Sequence, residues 1–330
     1  MRKIILKTLK YILFLTFGIG IFYYIYKDFD FNTIKQQLNN NFNYWWIIVA
    51  MCMTILSHFI RALRWNLVIN NDIRSVSLSN SFKSIMSGYF MNLIIPRMGE
   101  VTRCATIAKK EKVTFSEALG TVVTERIIDM IMLLSLTLLV ILSQTKKLTT
   151  FLSQHPDITN RWENITSSNW SIPIGIILIS LFGWISYKIL ISERLKKISI
   201  IQNFIQGIIS IQKMKNPFLF VIYTIAIWGL YFLMDYVSFF AFDFTNHLSV
   251  MAGITVFVFG SYGMVAPVQG GIGPWHFMTV EALALYGIDQ SNGLMFALIV
   301  HTAITFITFA VGGICTLLIT FSKPNSKQIK

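Results

Sequence analysis

Six stretches of this chain are too long and too apolar to be core elements of a soluble domain. They are Tyr11–Tyr26, Tyr44–Ile60, Ala118–Ser143, Ile172–Leu190, Pro217–Phe242 and Gly293–Phe321. A helix needs about 20 such residues to cross the hydrocarbon layer. In that layer the backbone must satisfy its own hydrogen bonds, so each run is expected to be a helix. Composition agrees, because 54% of residues are hydrophobic and only 13% charged, against about 25% charged in soluble domains. The fold class that follows is an all-α polytopic membrane protein, with residues 1–330 forming a single membrane domain.

Charge sets the orientation. A net charge of +13 could indicate nucleic acid, but the positive-inside rule accounts for it better. With the N-terminus in the cytoplasm, segments 1–10, 61–83, 97–117, 188–217 and 322–330 lie inside and hold 22 of the 28 Lys and Arg. Five lie outside and Arg126 lies within a span. Both termini are therefore expected in the cytoplasm, with no nucleic-acid partner. The first run resembles a signal peptide, but Phe22 to Lys27 is bulky where a cleavage site needs small residues. It reads as an uncleaved span. Tyr44, Trp45 and Trp46 are expected to anchor one interface and Trp65 the other. Cys52, Cys104 and Cys315 show no metal or disulfide spacing, and no metal or cofactor is expected. Residues 164–166 match a glycosylation acceptor.

Two shorter apolar segments are interrupted. Ser84–Ile95 stops at Pro96 and Gly99, and the thirteen residues from Ser84 through Pro96 would reach only about 20 Å as a helix, short of the roughly 30 Å hydrocarbon core. Val250–Ala266 stops at Pro267 and a glycine cluster, and Phe277–Tyr286 resumes it. Proline removes a helical donor and glycine tolerates unusual backbone angles. In each case the proline precedes a glycine by three residues, as in Pro96 and Gly99 or Pro267 and Gly270. The chain thus reads as two inverted pseudo-repeats, 1–143 and 172–321, joined by an external loop 144–171. Each has three spans and one broken pair, re-entrant in the first half and either re-entrant or spanning in the second. Interrupted helices at matching places in oppositely oriented halves point to a transport site at their interface.

Charges at membrane depth are costly and so mark function or pairing. Arg97, Glu100 and Arg103 flank the first break, and Glu125, Arg126 and Asp129 follow within one helix. The spacings i, i+3 and i, i+4 let the last three form one compact cluster. Arg61, Arg64 and Trp65 share another helix face. One reading is a buried ion-pair network that orients helices. The other is a substrate site, with arginine matching phosphate through its planar fork and carboxylates receiving a cationic or hydroxyl-rich headgroup. Gly270, Gly271 and Gly273 suggest either a tight turn or an anion-binding loop before a helix N-terminus. His276 and Glu281 project beyond it. Asp235 lacks an obvious partner, and His301 is either that partner or a satisfied core histidine, the latter being preferred. No catalytic motif emerges. Gly260-Ser-Tyr-Gly263 with His301 lacks the nucleophile spacing of a serine hydrolase.

Arg61-Ala-Leu-Arg-Trp65, Gly88 to Arg103, Glu125-Arg126-x-x-Asp129 and Pro267 to Gly273 together resemble the lysylphosphatidylglycerol synthase transmembrane family, also described as flippase-like, over nearly the whole chain. That resemblance implies an integral bacterial or archaeal membrane protein that moves, or helps to process, a lipid with a large polar headgroup. In multidomain members a fused soluble domain makes an aminoacylated lipid and the membrane part flips it. Here the sequence ends nine residues after the last apolar run, and synthesis is not expected of it. The chain departs from the family's pattern at His276 and Met278, where an acidic residue is expected, Glu281 being the shifted candidate. His301 stands where the family often carries arginine. The expected function is a lipid flippase, with membrane lipids and a lipid-modifying enzyme as candidate partners. The alternative is an enzyme or enzyme subunit in headgroup modification. The expected substrate-binding set is Arg64, Arg97, Glu100, Arg103, Glu125, Arg126, Asp129, Gly270, Gly271, Gly273, His276 and Glu281.

Overall fold

Helix ends carry unsatisfied amides and carbonyls, so where a helix starts depends on what can cap it. The computed structural model of the chain describes residues 16, 18–30, 42–70, 75–154, 214 and 216–322. Asn43 accepts from the amide of Trp45 and opens α1, Tyr44–Ile69. Then come α2, Leu78–Ile94, and α3, Gly99–Lys110. A capping box of Thr114 and Glu117 opens α4, Phe115–Ser143. A ten-residue helix, α5, spans Thr145–Gln154. Pro217 in its first turn starts α6, Pro217–Ser238, which continues as a 3-10 turn, Phe239–Ala241. Ser249 caps α7, Val250–Val265. A second 3-10 turn, Gln269–Gly271, leads to α8, Pro274–Ala284. Asp289 caps α9, Gln290–Phe321. Residues 18–26 are also helical, and no strand occurs among the described residues.

Among the described residues, four helices are long and apolar enough to cross a membrane: α1, α4, α6 with its 3-10 extension, and α9. Their outward faces carry Ile131, Leu134, Leu138 and Leu142 on α4, Phe218 and Ile225 on α6, and Phe306 and Leu317 on α9. Such faces suit lipid and would be costly in water. The chain is an all-helical membrane protein.

Packing relations come in matched sets. α2 packs on α3 as α7 packs on α8, α1 on α2 as α6 on α7, and α3 on α4 as α8 on α9. α2 packs against α9 and α7 against α4, and the α1 and α6 helices lie against each other at the centre. Each broken pair doubles back on a glycine. A Cβ on Gly88 would lie 2.7 Å from the Gly99 carbonyl oxygen, and one on Gly263 2.6 Å from Trp275 Cα.

Three boundary expectations change. α1 runs on past Ile60, the expected end of the apolar run, to Ile69, so Arg61 and Arg64 continue the same helix. Within segment 97–117, for which no helix was expected, Gly99–Lys110 form α3, a helix too polar for a span. The start of the expected external loop 144–171 is the helix α5. The run Ile172–Leu190, the tripeptide at 164–166, most of 188–217 and both termini lie outside the described residues.

Candidate functional site

Five helices deliver polar groups to one buried place. Arg61 and Arg64 come from α1, Arg103 and Glu100 from α3, Glu125, Arg126 and Asp129 from α4, Thr224 and Tyr231 from α6, and Tyr89 from α2. Glu125 is wholly buried and accepts from Arg103 at 2.5 Å and Arg64 at 3.3 Å. Asp129 accepts from Arg61 at 3.0 Å and Arg64 at 2.9 Å. Arg64 spends its remaining reach on the Thr224 hydroxyl, 3.2 Å away. Arg61 donates to the Tyr231 hydroxyl at 3.0 Å, and that hydroxyl stands 3.4 Å from Tyr89. The Arg103 guanidinium carbon lies over the Trp65 ring, 3.7 Å from its centroid, within cation–π distance.

Trp65 is therefore no interfacial anchor. It is fully buried, and its indole donates to Thr121 at 2.9 Å. The cost of keeping these charges from water is offset by nearly complete mutual hydrogen bonding, the condition under which buried ion pairs persist.

Arg126 differs from the other three arginines. Its side chain is 44% exposed, and it reaches Glu100 at 3.2 Å and Asp129 at 3.6 Å. Glu100 sits in the first turn of α3, where the helix dipole favours a carboxylate. Asn92 caps the same end, accepting from the Gly99 amide at 2.6 Å. Between them lies a cavity of about 20 Å³, lined by Tyr89, Asn92, Glu100, Arg103 and Arg126 among others. That is room for about one water. Four arginines face three carboxylates here, so the cluster carries one surplus positive charge.

The breaks meet one another. Arg97 is exposed, has φ of 62°, and donates to the carbonyl of Val265, the last residue of α7. It thereby caps one of that helix's open carbonyls. A Cβ on Gly270 would lie 2.7 Å from Leu93 near the end of α2. Arg97 and Gly270 therefore stand at the contact between the two interruptions.

The glycine segment is a tight turn. Gly270, Gly271 and Gly273 have φ of 56°, 77° and 91°, values that other residues adopt only with strain. The amide of Ile272 is bound to Gln269, and that of Gly273 donates to His276 Nδ1 at 3.4 Å. Pro274 has no amide proton to offer an anion. His276 is buried among Phe22, Tyr26, Trp275 and His301, and makes no bond to the arginine cluster. Glu281 stands partly buried on α8. His301 Nε2 meets the Gly270 carbonyl at 2.9 Å. A carbonyl can only accept, so Nε2 carries the proton, and His301 is not the partner of Asp235. The expected set thus divides. Arg64, Glu100, Arg103, Glu125, Arg126 and Asp129 converge, Arg97 and the glycines form the contact between breaks, and His276 packs elsewhere. Arg61, Thr224, Tyr231 and Tyr89 were not expected. Arg61 shares a face with Arg64 and could have been inferred from that spacing, whereas a tyrosine in an apolar run gives no such signal.

The profile described as the lysylphosphatidylglycerol synthase TM region matches residues 11–312. The chain belongs to that family. Among curated relatives, UPF0104 membrane protein MJ1595 of Methanocaldococcus jannaschii is 34% identical over 142 residues, covering 42% of this chain and 41% of the relative. UPF0104 membrane protein MJ1078 of the same organism is 27% identical over 229 residues, 68% of this chain and 91% of the relative. No solved structure matches the chain significantly. Within the lysylphosphatidylglycerol synthase transmembrane family, this chain is a membrane protein related to those that handle lipid headgroups.

Proposed function

We propose that the protein is a lipid flippase that carries a phosphate-bearing headgroup past the arginine cluster, and that its two halves are inverted repeats moving about the contact between the breaks. The observation that carries the reading is Arg126. It alone among the four clustered arginines is half exposed, it borders a cavity, and its partner Glu100 is a carboxylate that a phosphate could replace. A planar guanidinium binds either anion through paired hydrogen bonds. Phosphate arriving at Arg126 would release Glu100 while the arginines held by Glu125 and Asp129 stay in place. Their surplus charge favours an anionic group in a site with little water. The matched packing of α1 to α4 and α6 to α9 supports the repeat reading, and membership of a family named for lysylphosphatidylglycerol synthesis supports a headgroup lipid as cargo. The short α2 and α7 support re-entrant arms, and basic surplus in segments 1–10 and 322–330 supports cytoplasmic termini.

Leaflet labelling of a lipid panel in vesicles with and without the purified protein tests the reading. Faster equilibration of at least one phospho- or glycolipid is expected. Identical leaflet distributions across the panel contradict it. A deletion strain that lacks a lipid species altogether would instead indicate synthesis, and unchanged content with altered sidedness would indicate transport.

A further inference from the structure

Asp235 lies on α6 one helical turn beyond Tyr231. It is buried, with 4% of its surface exposed, and its Oδ1 has no hydrogen-bond partner. A carboxylate in such a place is strongly disfavoured unless it is paired or takes up a proton. The surrounding elements offer no free cation among the described residues. α7, which packs on α6, contains no Asp, Glu, Lys, Arg or His, and neither does Phe239–Ala241. On its own helix the nearest titratable groups are Tyr231 and Tyr236. From α1 come His58 and Arg61, and Arg61 is already committed to Asp129 and Tyr231. From α2 comes Tyr89, beside Tyr231.

The register of α1 on α6 places the residue further. Thr54 contacts Met234 at 3.5 Å and Arg61 contacts Tyr231 at 3.0 Å. Asp235, the residue after Met234, therefore sits near the level of Thr54, about one helical turn from His58 along α1. His58 is 5% exposed, stacks on Tyr89 at 4.1 Å between centroids, and has an unpartnered Nδ1. Two titratable side chains, each with an unbonded atom, thus stand about one turn apart along the packed α1 and α6 helices, beside the arginine cluster.

We infer that Asp235 is a proton-exchange site that couples the transport cycle to a pH gradient, acting on the arginine cluster through Tyr231 and Arg61. The inference rests on the transport reading above. The step is one proton added to a carboxylate oxygen from the aqueous phase, and its return. With the proton on, Asp235 is neutral and Arg61 stays on Asp129 and Tyr231. With the proton off, a negative charge lies four residues from Tyr231, about 6 Å along the helix. It draws Arg61 away from Asp129 and leaves that carboxylate to Arg64 and Arg126. Proton release thereby weakens the hold of Arg126 on a headgroup phosphate, and proton uptake restores it.

Infrared spectroscopy of the purified full chain reads a protonated buried carboxyl through its carbonyl stretch. Wild type is expected to show a band at neutral pH that disappears on alkalinisation and is missing from Asp235→Asn. Spectra that do not differ between the two at any pH overturn the inference, whatever transport does. Asparagine copies the shape and charge of the protonated acid, so the variant is expected to unfold at the wild-type temperature. In vesicles, a pH gradient should raise wild-type lipid redistribution several-fold and leave Asp235→Asn at the rate seen without a gradient. Equal responses overturn the coupling. Redistribution by wild type that ignores the gradient also overturns it and leaves the flippase reading intact. Absence of redistribution under every condition overturns that reading and the coupling together.

Discussion

At the scale of residues, Glu125 and Arg126 are sequence neighbours with opposite roles. Glu125 is wholly buried between Arg64 and Arg103, so its loss strands two cations in a dry site. Glu125→Gln is expected to cost about 3–5 kcal/mol, the range for breaking one side of a buried pair. Thermal unfolding in detergent would show it. Arg126 is half exposed and makes longer contacts, and pairs of that kind contribute at most about 1 kcal/mol. Arg126→Gln should therefore melt close to wild type yet lose transport. Exchanging Arg126 with Asp129 would not isolate a pair, because arginine at 129 would face Arg61 and Arg64. The informative exchange is Glu100→Arg with Arg126→Glu, which keeps the ion pair and moves the cation to α3. It should preserve the melting temperature and not restore transport. Recovery of transport by this double variant would return the pair to a purely structural role.

At the scale of elements, the long apolar runs were legible because burial in hydrocarbon demands length and little else. Interruptions were legible because proline and glycine act locally. The apolar run of α1 reads as ending at Ile60, because Arg61 and Arg64 interrupt it. Both are buried all the same because Glu125 and Asp129, more than 60 residues away, supply their partners, and no local pattern encodes such a pairing. For the same reason Arg97, Glu100 and Arg103 appeared as one group, although α3 turns Arg103 inward while Arg97 caps α7. The crossings give a sharp test. A methyl group on Gly88 meets the Gly99 carbonyl, whereas one on Gly229 meets nothing within 4 Å. Gly88→Ala is expected to cost about 1–3 kcal/mol through overpacking. Gly229→Ala should stabilise α6 by up to about 1 kcal/mol through helix propensity. Unfolding temperatures of the two variants check both.

At the scale of the whole molecule, α1 and α6 form the central contact, and the interruptions meet at Arg97 and Gly270. If transport rocks one half against the other, tying α1 to α6 should stop it. Cysteines at Thr54 and Met234, whose side chains touch, joined by a short reducible cross-linker in a cysteine-free background, are expected to block redistribution until reduced. Undiminished transport by the linked protein would argue against rocking at this contact. The central claim is that Arg126 receives the headgroup phosphate during passage across the membrane. Its most direct test compares lipid redistribution by wild type and Arg126→Gln in identical vesicles, at equal protein content and equal melting temperature. The account predicts redistribution by wild type and a rate for Arg126→Gln no higher than that of protein-free vesicles, whereas equal rates for the two proteins would contradict it.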